Sequence, residues 1–185
     1  MEILFLSGSR NPEGRTAKAI NTIRQGVAKA GGSSECVFLP TLALERCRQC
    51  ESGGWGICQR EARCIIEDDF AAIVDKIRAA DLVVFTSPVY FGDISESLRG
   101  FLDRLRRIAA PNTDPKITNK PAVAMALAGG RGGNAPTVCI NIERILQRCA
   151  FDVVDVIPLR RQNLEAKLPI LELTGQWLAT KPTSK

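Results

Sequence analysis

Histidine is absent from this chain of 185 residues, so the side chain that most often carries protons near neutral pH is missing. A Ser–His or Cys–His couple, a common way to activate a nucleophile, is therefore excluded. Aromatic residues are scarce as well, at 5% of the chain with a single tyrosine. Any demanding chemistry is therefore expected to come from a bound cofactor.

Long apolar runs are also missing. The longest, such as 3–6 and 121–128, are far shorter than the roughly 20 residues that a membrane-spanning helix needs. Because no basic patch leads into an apolar stretch and a cleavage site at the N-terminus, the sequence predicts a cytoplasmic protein. The net charge of +5 comes from 25 basic and 20 acidic residues that are interspersed, and this pattern does not favour nucleic-acid binding.

Apolar runs of strand length alternate with stretches of helical periodicity along the chain. Five buried strands are predicted, at 2–6, 36–39, 82–86, 121–128 and 153–157. Five helices are predicted, at 16–30, 68–80, 95–108, 136–149 and 164–179. This order predicts one α/β domain over 1–185, a flavodoxin-like doubly wound five-stranded parallel sheet in the order 2-1-3-4-5. A cysteine-rich insert, at about 40–66, follows the second strand.

Ligands of such sheets bind beyond the carboxyl ends of the strands at the switch point, which here means the loops after strands one, three and four. The first loop, 7–16, leads into a helix and offers hydroxyls, backbone amides and guanidinium groups that suit a phosphate. Its candidate residues are Ser9, Arg10, Asn11, Arg15 and Thr16. An ordinary loop that caps the helix is the alternative interpretation.

The second loop, 86–95, offers flat apolar surface and a glycine that permits close backbone approach. Its candidates are Ser87, Pro88, Val89, Tyr90, Phe91 and Gly92, although adjacent aromatic residues are also common in protein cores. The third loop, 128–135, is rich in glycine and suits packing against a planar ring. Its candidates are Gly129, Gly130, Arg131 and Gly132, with a plain flexible turn as the alternative.

Taken in order, these segments resemble the NADPH-dependent FMN reductase and iron–sulfur flavoprotein branch of the flavodoxin-like superfamily. The matching parts are Gly8-Ser9 through Thr16, Cys64 with Asp68-Asp69, Ser87 to Gly92, and Gly129 to Gly133. The resemblance implies bound FMN, with its ring against 88–92 and 129–132 and its phosphate on Ser9, Arg15 and Thr16. It also implies an enzyme, an NAD(P)H-dependent FMN reductase. Hydride would pass from NAD(P)H through FMN to a flavin, a quinone or an iron–sulfur protein, with the choice between NADH and NADPH open.

Four of the seven cysteines lie close together in the insert, at Cys47, Cys50, Cys58 and Cys64. The first two have the spacing of a metal knuckle, and the other two could complete four thiolates. Three interpretations remain open: a 4Fe–4S cluster as in the iron–sulfur flavoproteins, a structural zinc ion, or four reduced thiols in a loop packed on a neighbouring subunit. The remaining cysteines are expected to pack in the core, at Cys36, Cys139 and Cys149.

A flavodoxin-like electron carrier is the alternative function, because the same fold serves such carriers without a nicotinamide site. Carriers of this kind usually present an acidic face, so the isoelectric point near 8.9 favours the enzyme. The insert is too long to lie flat on one small domain, and we therefore expect a homodimer or homotetramer. The expected partners are a small-molecule electron acceptor or a redox protein, and neither nucleic acid nor a membrane.

Overall fold

The computed structural model describes residues 1–109, 114–180 and 182. Its strands are β1 (Glu2–Ser7), β2 (Ser33–Phe38), β3 (Leu82–Tyr90), β4 (Asp93–Ile94), β5 (Pro121–Ala128) and β6 (Asp152–Arg160). Its helices are α1 (Arg15–Lys29), α2 (Ile57–Glu61), α3 (Phe70–Ala79), α4 (Glu96–Ile108), α5 (Ala135–Arg148) and α6 (Leu164–Leu178). Parts of the predicted 1–185 domain, 110–113, 181 and 183–185, lie outside the described residues.

Five strands form a parallel sheet in the order β2-β1-β3-β5-β6, and β4 pairs with β3 in the antiparallel direction. The five parallel strands therefore follow the predicted order 2-1-3-4-5. The two-residue β4 was not predicted, because so short a strand carries no periodicity of its own. The parallel arrangement brings the carboxyl ends of β1, β3 and β5 to one edge of the sheet.

Helices cover both faces of the sheet. Along β1, Leu4 and Leu6 pack into the layer of α3, α4 and α5, whereas Ile3 and Phe5 pack into the layer of α1 and α6. This alternation follows from the two-residue period of a strand. Because both faces are buried, the central strands are apolar at nearly every position, which is the pattern that the sequence shows.

The segment 86–95, predicted as a loop, begins as strand. β3 continues to Tyr90, which pairs with Asp93 of β4 across a two-residue turn. Phe91 and Gly92 form that turn with φ values of 49° and 84°. Positive φ at both central residues is the geometry of a tight hairpin turn, and glycine adopts it without strain. The β3–β4 hairpin therefore holds the predicted aromatic residues on a defined backbone.

Among the described residues, no helix is both long enough and apolar enough to cross a membrane.

Candidate functional site

The carboxyl ends of β1, β3 and β5 frame a cleft of about 550 Å³, which we call the switch-point cleft. Its walls come from all three loops that the sequence singles out. The lining residues are Ser9, Asn11, Gly14, Arg15, Thr16, Pro88, Val89, Tyr90, Gly92 and Leu127 to Asn134. Parallel strands end at the same edge of a sheet, and this explains why segments so distant in sequence meet here.

One end of the switch-point cleft is the N-terminus of α1. Gly14 occupies the cap position, no side chain caps the helix, and its first turn contains no acidic residue. The first amides of a helix have no partners within it, and the helix dipole adds positive potential at that end. Thr16 lies in the first turn of α1, and both Thr16 and Ser9 are buried and line the cleft. This end of the cleft is therefore suited to a phosphate.

The other end of the cleft is an open glycine-rich turn after β5. A Cβ atom added at Gly129, Gly130 or Gly133 would have no heavy atom within 4 Å. The backbone of this turn is thus accessible from the cleft, and a planar ring could lie against it. Gly92 of the hairpin packs closely on the residue that follows this turn, since an added Cβ there would lie only 2.7 Å from the Asn134 side-chain nitrogen. The glycines thus leave space for a flat ligand on the turn and let the hairpin pack against it.

Most of the sequence-predicted ligand residues meet in the switch-point cleft. These are Ser9, Asn11, Arg15, Thr16, Pro88, Val89, Tyr90, Gly92, Gly129, Gly130, Arg131 and Gly132. Three residues, Arg10, Ser87 and Phe91, lie elsewhere. Arg10 lines an adjoining cleft, and Phe91 is fully exposed at the tip of the hairpin. Ser87 is buried, and its hydroxyl donates to the Pro88 oxygen and accepts from the Ser95 amide. Ser87 therefore shapes the hairpin from within.

Several lining residues were not predicted, namely Gly14, Leu127, Ala128, Gly133 and Asn134. Asn134 precedes α5 with a φ of 65°, a left-handed conformation that asparagine tolerates better than most residues. An asparagine directly before a helix was a signal available in the sequence. Leu127 and Ala128 are the last residues of β5. Their apolar side chains could equally belong to the core, so the sequence did not mark them as part of the cleft lining.

A second candidate site lies under the cysteine-rich insert, against α4. A small cavity of about 20 Å³, which we call the thiol cavity, is lined by four cysteines, three arginines and apolar side chains. The cysteines are those predicted together, Cys47, Cys50, Cys58 and Cys64. All four are free thiols. The structure therefore places them around one cavity.

The remaining three cysteines pack in the core as predicted. Cys139 and Cys149 are fully buried, and burial raises the pKa of each thiol to about 12. Cys36 is partly buried at the sheet, and burial raises its pKa to about 11. Thiols with such high pKa values stay protonated at neutral pH and are poor nucleophiles and metal ligands.

The insert is closed at its neck by Arg104 of α4. This guanidinium is 2% exposed and pairs with Asp68 at 2.5 and 2.9 Å, and it also donates to the backbone oxygen of Glu45 at 3.0 Å. Burial alone would raise the pKa of Asp68. Bonds from Arg104 and from the amides of Glu45 and Phe70 outweigh burial, so the pKa of this carboxyl lies below its usual value. One buried ion pair thus joins the two ends of the insert.

The thiol cavity has the donor chemistry of a metal centre, but not its geometry. Four thiols suit zinc or an iron–sulfur cluster. In the described part of the chain, however, no group of three or more cysteine or carboxylate side chains is arranged to hold a metal ion. A space of about 20 Å³ holds roughly one water molecule, which is too little for a 4Fe–4S cluster. The sulfur atoms would have to move to bind a metal.

Comparison with known proteins agrees with the fold. A solved NAD(P)H:quinone oxidoreductase from Methanothermobacter marburgensis has a TM-score of 0.68 at 18% identity, covering 96% of this chain and 98% of its own. A flavodoxin from an archaeon has a TM-score of 0.63 at 14% identity, covering 98% of both chains. These structures confirm the predicted flavodoxin-like fold.

A curated relative, an iron–sulfur flavoprotein of Methanocaldococcus jannaschii, is 31% identical over 142 residues, which are 77% of this chain and 69% of the relative. The chain spans about two thirds of the length of the curated relatives that it matches first. The sequence profile of the family described as NADPH-dependent FMN reductase matches residues 1–139. The predicted resemblance, the oxidoreductase class and FMN as the cofactor are thereby confirmed: the chain belongs to the NADPH-dependent FMN reductase family.

Proposed function

We propose that this protein binds FMN in the switch-point cleft and acts as an NAD(P)H-dependent oxidoreductase. The main support for the proposal is that one cleft contains both a helix N-terminus without a side-chain cap and an open glycine turn. The first suits the phosphate of FMN and the second suits its ring. When bound, FMN would take a hydride from NAD(P)H and deliver reducing equivalents to an acceptor.

The residues of the cleft bind and orient rather than transfer protons. No carboxylate lines the switch-point cleft among the described residues, and its charged side chains are Arg15 and Arg131. The cleft therefore has a positive potential, which attracts a phosphate and stabilises negative charge on a bound ring. Thr16 and the amides of α1 hold the phosphate, while Tyr90 and the 129–133 backbone hold the ring.

The proposal also includes the electron acceptor, which would reach the ring end of the cleft from solvent. Tyr90 is about half exposed and also lines a second cleft of about 680 Å³, so the ring end is accessible from solvent. An open face of this kind would admit a free flavin, a quinone or an exposed redox centre of another protein. We place the protein in the cytoplasm, where thiols that are not joined in disulfides stay reduced.

The double substitution Arg15→Ala with Thr16→Val tests the phosphate end of the cleft. Hydrogen bonds to charged groups contribute about 1.5–3 kcal/mol each. Loss of two such contacts should weaken FMN binding roughly 100-fold or more. Titration of the apoprotein with FMN, followed by flavin fluorescence, measures the affinity. The matched control, Thr22→Val with Arg24→Ala, changes the same residue types farther along α1 and should bind FMN normally. Unchanged affinity in the first double variant would remove the phosphate assignment.

A second candidate function is that of an iron–sulfur flavoprotein, a carrier that passes single electrons from FMN to a partner. It is favoured by the four cysteines at one cavity and by the relatives of that name. An absorption spectrum of protein purified without oxygen tests it, with iron, sulfide and zinc assayed on the same sample. Stoichiometric iron and sulfide support the carrier, whereas flavin bands without metal support the two-electron reductase.

We also propose a homodimer or homotetramer. The insert presents Trp55 and Ile65 to solvent, at 36% and 48% exposure, and such side chains are common in subunit interfaces. Light scattering on the holoprotein measures the mass, and a monomer at micromolar concentration would contradict this proposal.

A further inference from the structure

The adjoining cleft, lined by Arg10 and about 680 Å³ in volume, shares Tyr90 with the switch-point cleft. Its walls are the end of β1, the segment 39–46 after β2 and the first turns of α4. Its volume lies within the range of about 300–1,000 Å³ that is usual for small-molecule sites. A ligand in this cleft would therefore approach the ring end of the switch-point cleft, where we place the flavin ring.

One wall of the adjoining cleft is apolar and held in place. Leu42 and Leu44 are partly buried, and Phe101 of α4 is 2% exposed. The backbone amides that follow the two leucines donate to the carboxylates of Asp69 and Asp68, at 2.7 and 2.8 Å. Because these bonds fix the segment before any ligand binds, little order has to be created on binding. The wall is therefore suited to the face of an apolar ring.

Ser95, the residue directly before α4, contributes a buried hydroxyl to the adjoining cleft. It is 1% exposed, and its Oγ atom has no hydrogen-bond partner among the described residues. A serine at this position usually caps its helix, but the side chain of Ser95 does not. The Oγ atom lies against Gly8, since a Cβ built on Gly8 would stand 2.1 Å from it, and both residues line the cleft. An unpaired buried hydroxyl is costly, so it marks a place where a ligand oxygen belongs.

The charged side chains of the adjoining cleft favour a neutral ligand. Arg10 and Arg46 line it together with Glu45 and Glu96, and all four are exposed. Glu45 is paired with Arg48 at 2.6 Å. A dinucleotide with several phosphate charges would meet carboxylates here, and placing like charges together is unfavourable. A neutral ring meets no such repulsion, so this mixture of charges fits an electron acceptor better than it fits NAD(P)H.

We propose that the adjoining cleft binds the electron acceptor, a neutral conjugated ring with a carbonyl oxygen, and that Ser95 donates a hydrogen bond to that oxygen. Quinones and free flavins both have such a ring. The apolar wall contacts the ring, and Ser95 stabilises the charge that develops on the oxygen while the acceptor gains a hydride from the bound flavin and a proton from water. The inference rests on the proposed function, since it requires a flavin in the switch-point cleft.

Equilibrium dialysis of duroquinone against the oxidised, FMN-loaded protein measures acceptor binding without turnover. Every ring position of this quinone is methylated, so it does not add to the free thiols. Ser95→Ala should weaken its binding about 3- to 10-fold, the loss expected for one hydrogen bond between neutral groups. The midpoint of thermal unfolding should stay within about 2 °C, because the hydroxyl has no partner in the described part of the chain. Ser33→Ala, at the opposite end of the sheet, is the matched control and should bind duroquinone normally.

A second variant tests the position of the site rather than the hydrogen bond. Gly100 of α4 lines the adjoining cleft, and a Cβ added to it would meet nothing within 4 Å. Leucine also favours a helix more than glycine does, so Gly100→Leu should fold and fill part of the cleft. Its affinity for duroquinone should fall further than that of Ser95→Ala, while its affinity for FMN should not change. Riboflavin in a parallel dialysis shows whether the cleft takes a free flavin, a quinone or both.

Two results would overturn the proposal. One is that neither duroquinone nor riboflavin binds to the FMN-loaded protein, and the other is that Ser95→Ala and Gly100→Leu both bind these rings as well as the unchanged protein does. An FMN titration of the same samples tells the two possible failures apart. A chain that binds no FMN contradicts the proposed function, whereas a chain that binds FMN but neither ring contradicts the acceptor site alone.

Discussion

The switch-point cleft and the thiol cavity are built in opposite ways. The cleft is made mainly of backbone: a helix N-terminus, a hairpin and a glycine turn, all placed by the order of the strands. The thiol cavity is made of side chains that reach across from α4, and its neck depends on one buried ion pair. The shape of the first site should therefore survive most side-chain truncations but not added bulk. The second should fail when a single charge is removed.

The largest effect is expected from removal of the charge at the neck. Arg104→Met leaves the Asp68 carboxylate buried without its partner, and breaking a buried ion pair in this way costs about 3–5 kcal/mol. The free energy of unfolding, measured by urea denaturation, should fall by that amount. Arg99→Met removes an exposed arginine from the same helix and should change the stability by less than about 0.5 kcal/mol. Equal stability of the two variants would mean that the buried pair does not hold the insert.

A smaller effect is expected at two glycines near the switch point, Gly8 of the adjoining cleft and Gly129 of the switch-point cleft. A Cβ at Gly8 would lie 2.1 Å from the Ser95 hydroxyl oxygen and 2.9 Å from Cβ of Leu98. Gly8→Ala should therefore lower the free energy of unfolding by about 1–3 kcal/mol, the usual cost of overpacking.

Gly129→Ala is the matched change on the open side of the cleft, where the added Cβ meets nothing within 4 Å. It should leave the stability within about 0.5 kcal/mol. If the ring lies on this turn, FMN affinity should nevertheless fall about tenfold, equivalent to about 1.4 kcal/mol. Thermal unfolding and FMN titration measure the two effects separately. Normal FMN binding by Gly129→Ala would show that the ring does not lie on this turn.

The same contrast explains what could be predicted from the sequence. The cleft loops could be predicted because buried strands are visible as apolar runs and parallel strands end at one edge. Phe91 is exposed in the turn and does not line the cleft, because the residues between two paired strands do not show by themselves which one takes the outward turn position. Its role as a ligand of FMN stays a prediction.

The cysteines of the thiol cavity could be found from their spacing, but the arginines could not. Arg104 lies between the apolar positions Phe101 and Ile108 of an amphipathic helix with several arginines, where an arginine is normally assigned to solvent. Its partner Asp68 is 36 residues away in sequence, and one sequence carries no signal for such a long-range pair. Side-chain pairing between distant segments is therefore the part that required the structure.

The smallest expected effect is a loss of stability in acid that affects the neck of the insert but not the switch-point cleft. The pKa of Asp68 is lowered in the folded protein, so its contribution to stability is complete above the ordinary carboxyl pKa of about 3.9. This contribution is lost as the pH falls through the lower folded pKa. The neck of the insert should therefore loosen below about pH 4, whereas the switch-point cleft has no carboxylate in its described lining to respond.

Trp55 can report on this loosening, because its ring rests against Arg107 and the chain has only two tryptophans. In a Trp177→Phe background, acid should change the Trp55 fluorescence before far-UV circular dichroism shows loss of the sheet. Adding Asp68→Asn removes the titrating group and should abolish the separate fluorescence step. If that step persists in the Asp68→Asn variant, a different group controls the insert in acid. If fluorescence and circular dichroism change together in the Trp177→Phe protein, the insert and the sheet unfold as one unit. The thiol cavity would then be no less stable to acid than the switch-point cleft, although the two sites are built differently.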